Sequence, residues 1–151
     1  MQTNVITYED WKKRNEPSKG LNAFAKEIHD GNVKRGFYEN PPAFGTIIAL
    51  IHSELSEALE ADRKKHYGNL EYFEQRLKEV RDSFQGSEEE FKPVYKQLYE
   101  EYLKDCVGGE FAGTFIRLMD ACGYLNIDID KYVKYELQYN ATRPYKHGKK
   151  Y

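Results

Sequence analysis

The sequence predicts an all-α chain, and three observations carry that prediction. Apolar residues return every three to four positions in one segment after another, which is the spacing of amphipathic helices. No segment sustains the alternation of β-branched and polar residues that a strand needs. Turn-forming clusters such as EPSKG and ENPPAFG fall between the periodic stretches. At 151 residues the chain is long enough for one domain with a core and too short for two of ordinary size, so a single domain over 1–151 is expected.

The elements follow in order. Thr7 stands as an N-cap before a short helix through YEDWKKRN, which EPSKG ends. From Leu21, the spacing of Phe24, Ala25 and Ile28 predicts an amphipathic helix that frays at HDGN, followed by a loop in RGFYENPPAFG. TIIALIHSELSEALEADRKK carries the strongest helical pattern of the chain. Weaker helical patterns follow in LEYFEQRLKEVRDSF and in EEEFKPVYKQLYEEYLKDC, where Pro93 is tolerable only near the first turn. On the helix in GEFAGTFIRLMDACG, residues Phe111, Ala112, Phe115, Ile116, Leu118, Met119 and Cys122 form one wide apolar arc. Glu110, Gly113, Thr114, Arg117 and Asp120 form the polar strip, and Gly123 is expected to stop the helix. Asp128 or Asp130 then caps KYVKYELQYN, and the chain leaves in the basic tail ATRPYKHGKKY.

Charged residues make up 32% of the chain while the net charge is only -2, so there is no general electrostatic case for nucleic acid or an anionic membrane. A DNA-binding helical module is disfavoured because the basic residues gather in one tail and not along a recognition helix. No apolar run approaches the ~20 residues that span a bilayer, and MQTNVITYED lacks the basic and apolar regions of a secretory signal. A cytoplasmic location is therefore expected. Cys106 and Cys122 have neither zinc-site spacing nor a disulfide framework around them and read as small buried apolar residues.

Chemistry concentrates in the carboxylates. On the helix through Ile47, Ile48, Ile51, Leu55, Ala58 and Leu59, Glu54 falls inside the apolar arc and Glu57 at its edge. Three residues apart, the two acids point the same way. Buried ionised carboxylates need a cation, a metal or raised pKa values. An Arg or Lys from a neighbouring helix is one answer; an oxygen-donor site for Mg²⁺ or Mn²⁺ is another. Glu110 and position 113 repeat the same spacing on a second helix, but position 113 is a glycine, which weakens a helix by roughly 1 kcal/mol relative to alanine.

Taken together, LIHSELSEALEADRK, EFAGTFIRLMDACGYLNIDIDKYV and YNATRPYKHGKKY resemble the MazG-like all-α nucleoside triphosphate pyrophosphohydrolases. The likeness runs from about Leu21 to Tyr151, apart from a stretch near 66–105 that looks like a helical insertion between the two motif helices. The family pattern is Glu-x-x-Glu on one helix and Glu-x-x-Asp on another. The resemblance implies a MazG-like helical bundle that splits a nucleoside triphosphate into a monophosphate and pyrophosphate. It implies Mg²⁺ held by acids, and assembly as a homodimer or homotetramer. On that likeness Glu54, Glu57 and Glu110 match the catalytic metal-ligand positions. Asn140, Arg143, Lys146, His147 and Lys149 match a closing segment that holds the triphosphate, and Phe37 and Tyr38 match an aromatic contact with the base.

The chain departs from the family pattern at Gly113, where a metal-binding Asp is expected, and at Glu136, where a Lys is expected. Gly108 and Gly109 also replace residues that are often acidic in the family. Three explanations stand. The protein hydrolyses a nucleotide with one ligand fewer; Glu136 substitutes for the absent Asp; or the chain is a non-catalytic relative that binds a nucleotide or a partner or serves as an oligomeric scaffold. Arg117 and Asp120 read either as an i, i+3 ion pair or as an orienting or interface pair, and His52 as a surface or packing residue. A deoxyuridine, deoxycytidine or modified nucleotide is equally compatible with the sequence.

Overall fold

The computed structural model describes residues 6–14 and 20–145. Among them are seven helices and no strand, as expected: α1 (Tyr8–Arg14), α2 (Leu21–Lys34), α3 (Phe44–Arg63), α4 (Leu70–Ser83), α5 (Glu88–Tyr102), α6 (Val107–Tyr124) and α7 (Ile129–Ala141). The stretch between the two motif helices is itself helical, as α4 and α5. No helix among the described residues is long and apolar enough to cross a membrane. The chain divides into two compact units whose boundary falls inside α3 and α6: one holds 6–14 and Ile48–Phe115, the other 20–47 and 116–145.

In the first unit α1 and α5 pack on α4 around Tyr8, Phe73, Leu77, Phe91 and Leu98. Thr7 caps α1 as its sequence indicates, its Oγ1 accepting the Asp10 N–H at 3.2 Å. Asp82 accepts the Tyr8 N–H at 3.0 Å and so ties α1 to α4. Ser87 and Glu90 form a capping box at the start of α5. Pro93 lies in the second turn of α5, beyond the place expected for it; it removes the helical donor for the Glu89 carbonyl, yet the helix continues, anchored by buried Phe91 and Leu98 on either side. Beneath this layer Arg81 is buried, its guanidinium 4.3 Å from the Phe91 ring centroid and paired with Glu88.

In the second unit α2 packs on α7, and Ala25, Met119 and Cys122 form a core flanked by Leu21, Phe24, Ile28 and Ile129. Two helix ends differ from expectation. α2 does not fray at HDGN but runs through Gly31 to Lys34. Its stop is Gly36, whose φ of +86° lets its N–H reach Val33 O at 3.0 Å and the Phe37 N–H reach Asn32 O at 3.2 Å. Likewise Gly123 does not stop α6; Asn126 does, at φ 52°, with the Ile127 N–H on Cys122 O at 2.9 Å. Gly123 serves another purpose: a Cβ there would lie 2.6 Å from Ala25 O and 2.7 Å from His29 Cβ, so α2 and α6 meet at backbone contact. Asp128 caps α7 by accepting the Lys131 N–H at 3.2 Å. Asp130 turns to the first turn of α2, accepting the Leu21 and Asn22 N–H groups at 3.1 and 3.0 Å, where Gly20 offers no side chain.

The apolar arc of α6 is only partly covered in the single chain: Met119 and Cys122 are buried, whereas Phe111, Phe115, Ile116 and Leu118 are exposed. On α3, Leu55 and Leu59 are exposed as well, and α7 buries none of its residues. Both cysteines are buried and free, as expected.

Candidate functional site

The candidate site in the first unit is built from the middle of α3, which supplies Glu54 and Glu57, and the first turn of α6, which supplies Glu110. Helix α6 begins where the Glu110 N–H bonds Cys106 O at 2.9 Å and the Gly109 N–H reaches Cys106 Sγ at 3.3 Å. That start sets Glu110 inward, and only 7% of it is exposed. Glu54 is half-buried and Glu57 exposed. Burial holds the Glu110 carboxyl above the usual carboxylate range, and the negative charges of Glu57, Glu54 and Asp105 and a hydrogen bond with Glu54 push it the same way. The two helices therefore bring their acids within electrostatic reach of one another.

Gly113, one turn along α6 from Glu110, has no open space above it. A Cβ built there would fall on Glu54 Oε2 and lie 3.2 Å from Glu54 Cδ. The end of the Glu54 side chain occupies the volume that a side chain at 113 would need.

The donor chemistry of Glu54, Glu57 and Glu110 fits a hard cation such as Mg²⁺, because all three offer only carboxylate oxygens. Their present arrangement is a convergence and not a closed cage: among the described residues no three His, Cys, Asp or Glu side chains form a group ready to hold a metal ion.

Asn140, Arg143, Phe37 and Tyr38 lie in the second unit. Asn140 donates from Nδ2 to Glu136 Oε1 at 3.3 Å, and Arg143 donates from Nη1 to Asn140 Oδ1 at 3.4 Å, with its guanidinium 6.0 Å from the Tyr139 ring centroid. Glu136 thus has a local partner one helical turn away. Lys146, His147 and Lys149 lie outside the described residues. Phe37 is 67% exposed. Tyr38 is half-buried, edge-on to His29 with centroids 4.5 Å apart and 4.9 Å from the Tyr124 ring. Burial and a hydrogen bond to Asp120 raise its phenol above the usual range.

Asp120 is the centre of a network that the sequence reading missed. Its Oδ1 meets His29 Nδ1 at 3.0 Å and its Oδ2 accepts from Asn32 Nδ2 at 2.8 Å, in addition to the Tyr38 hydroxyl. Nδ1 is the His29 ring nitrogen that faces the carboxylate. The available signal was the i, i+3 spacing of His29 and Asn32 on one face of α2, opposite an acid in a polar strip. His29 also lines a pocket of about 590 Å³ together with Lys26, Asp30, Cys122, Asn126 and Asp128. His52 is exposed on α3. No family model, no curated protein and no solved structure matches the chain.

Proposed function

We propose that this chain is a MazG-like, Mg²⁺-dependent nucleoside triphosphate pyrophosphohydrolase, with Mn²⁺ as an alternative ion, acting in the cytoplasm as a homodimer or homotetramer. The observation that carries the reading is buried Glu110 on α6 brought against Glu54 and Glu57 on α3, three oxygen donors from two helices with the Glu110 carboxyl held above its usual range. In this reading Glu54, Glu57 and Glu110 hold the ion, and one of the three carboxylates takes the proton of the attacking water. A bound Mg²⁺ would neutralise phosphate oxygens and favour in-line displacement at phosphorus. Asn140, Arg143, Lys146, His147 and Lys149 hold the triphosphate through donors and cations. Exposed Phe37 stacks on the base while Tyr38, fixed by Asp120 and the His29 and Tyr124 rings, holds the loop in place. The exposed apolar residues Leu55, Leu59, Phe111 and Phe115 support a second copy as their cover.

A second reading, a non-catalytic nucleotide-binding or scaffolding relative, is favoured by the glycine at 113 and by the absence, among the described residues, of a ready three-ligand group. Pyrophosphate release from every canonical ribo- and deoxyribonucleoside triphosphate, with Mg²⁺ and with Mn²⁺, separates the two. Turnover by the wild type that Glu54→Ala abolishes supports the enzyme. A silent wild type awakened by Gly113→Asp supports the non-catalytic relative. Full activity in Glu54→Ala refutes the site. Light scattering of the full chain reads the oligomeric state.

A further inference from the structure

We infer that Gly113 is a positioning residue: having no side chain, it seats the Glu54 carboxylate against α6 beside buried Glu110. The backbone gives no other reason for a glycine. Gly113 lies within α6, which continues to Tyr124, and it is not among the residues of positive φ. A glycine inside a helix weakens it relative to alanine, so the residue stands against the local helix preference.

The four glycines of α6 differ in what a side chain would meet. At Gly109 a Cβ would lie 2.8 Å from the Leu103 carbonyl oxygen, and at Gly123 it would lie 2.6 Å from that of Ala25. At Gly108 it would find only Cys106 Sγ, at 4.0 Å. Gly113 alone faces a carboxylate: Glu54 Oε2, then Cδ at 3.2 Å and Cγ at 3.9 Å, so the outer half of that side chain lies along the α6 backbone. The present pose of Glu54 and a side chain at 113 exclude one another. The glycine is therefore the complement of Glu54.

What Glu54 is positioned for rests on the metal-site reading above; that it is seated by Gly113 does not. The test uses the full-length chain as wild type, Gly113→Ala, Glu54→Ala and the double variant, with two readouts. The first is the melting temperature in EDTA. The methyl of Gly113→Ala must displace the Glu54 carboxylate in the wild-type background and meets nothing of the kind once Glu54 is alanine. Gly113→Ala is therefore expected to raise the melting temperature more in the Glu54→Ala background than in the wild type. The second readout is Mn²⁺ affinity by electron paramagnetic resonance. Gly113→Ala is expected to weaken Mn²⁺ binding about 10- to 100-fold, as loss of a ligand-orienting contact does, and to add no further loss to Glu54→Ala. Additive melting effects, together with wild-type Mn²⁺ affinity in Gly113→Ala, overturn the inference while leaving the site intact. Non-additive melting in a wild type that binds no Mn²⁺ upholds the seat and refutes the metal reading.

Discussion

Replacing Gly123 by alanine tests the helix crossing that underlies the Asp120 network. In a solvent-exposed helical position the change would add about 1 kcal/mol of stability, the difference in helix preference between the two residues. At this crossing the new methyl carbon would stand 2.6 Å from Ala25 O, 2.7 Å from His29 Cβ and 3.2 Å from Ala25 C. The first and last of these are backbone atoms, which no rotamer change can move. Ordinary carbon–carbon contact needs about 3.5 Å or more, so α2 must retreat from α6 by several tenths of an ångström. Overpacking of that kind costs about 1–3 kcal/mol, and after the helix gain the net loss is about 0–2 kcal/mol. At ~2–4 °C per kcal/mol for a chain of this length, the melting temperature falls by up to about 8 °C. Gly45→Ala is the control: it lies in the first turn of α3 with nothing within 4 Å of its Cβ, and it is expected to raise stability by a few tenths of a kcal/mol. Scanning calorimetry of both variants, with the His29 ring resonances followed by NMR, decides the matter. A Gly123→Ala protein stabilised as much as Gly45→Ala, with unshifted His29 signals, would refute the close approach.

Three further predictions follow from groups whose environments differ from bulk water. The folded pKa of Glu110 lies above its unfolded value, so its contribution to metal-free stability is present at acid pH and lost as the pH rises through the folded pKa. Glu110→Gln removes that loss, and urea titrations in EDTA at pH 8 should show the variant more stable than wild type, with Mg²⁺ stabilising only the wild type. Asp128 is held down to about 2 by Asn22 and Lys131; its contribution is lost as pH falls toward that value, so Asp128→Asn flattens the acid limb of the stability profile. Arg81 is 2% exposed with Nε and Nη1 lacking hydrogen-bond partners among the described residues, while its partner Glu88 is 41% exposed. Arg81→Met is expected to be neutral or stabilising by ~1–2 kcal/mol and Glu88→Gln to cost ~1–3 kcal/mol, since only the second leaves a buried charge behind. Equal losses in the urea midpoints would contradict that asymmetry.

What could be read in the sequence was what local chemistry decides. The periodicity of α3, the Thr7 cap and the Asp128 cap each depend on residues within a turn of one another, and each appears where the pattern puts it. Glu54 and Glu57 were legible for the same reason: on a helix, three residues apart is one face. What failed was settled by partners far along the chain. Asp130 serves α2 because Leu21 and Asn22, more than a hundred residues away, present amide groups at a helix start whose capping residue is a glycine. Asp120 is held by His29 and Asn32, about ninety residues away on α2, in a half-buried setting where a hydrogen-bonded carboxylate gains more than at the surface. The glycines misled most. In isolation each one in a helical pattern reads as a stop or, beside a family pattern, as a missing ligand. Gly31 and Gly123 stop nothing, and Gly123 is needed because another backbone occupies the space of its side chain. The same logic applies at Gly113, except that the occupant is the Glu54 carboxylate. At position 113 the sequence shows only a missing side chain, whereas the space beside it holds the Glu54 carboxylate. That occupancy exists only because α3 and α6 lie side by side at this point.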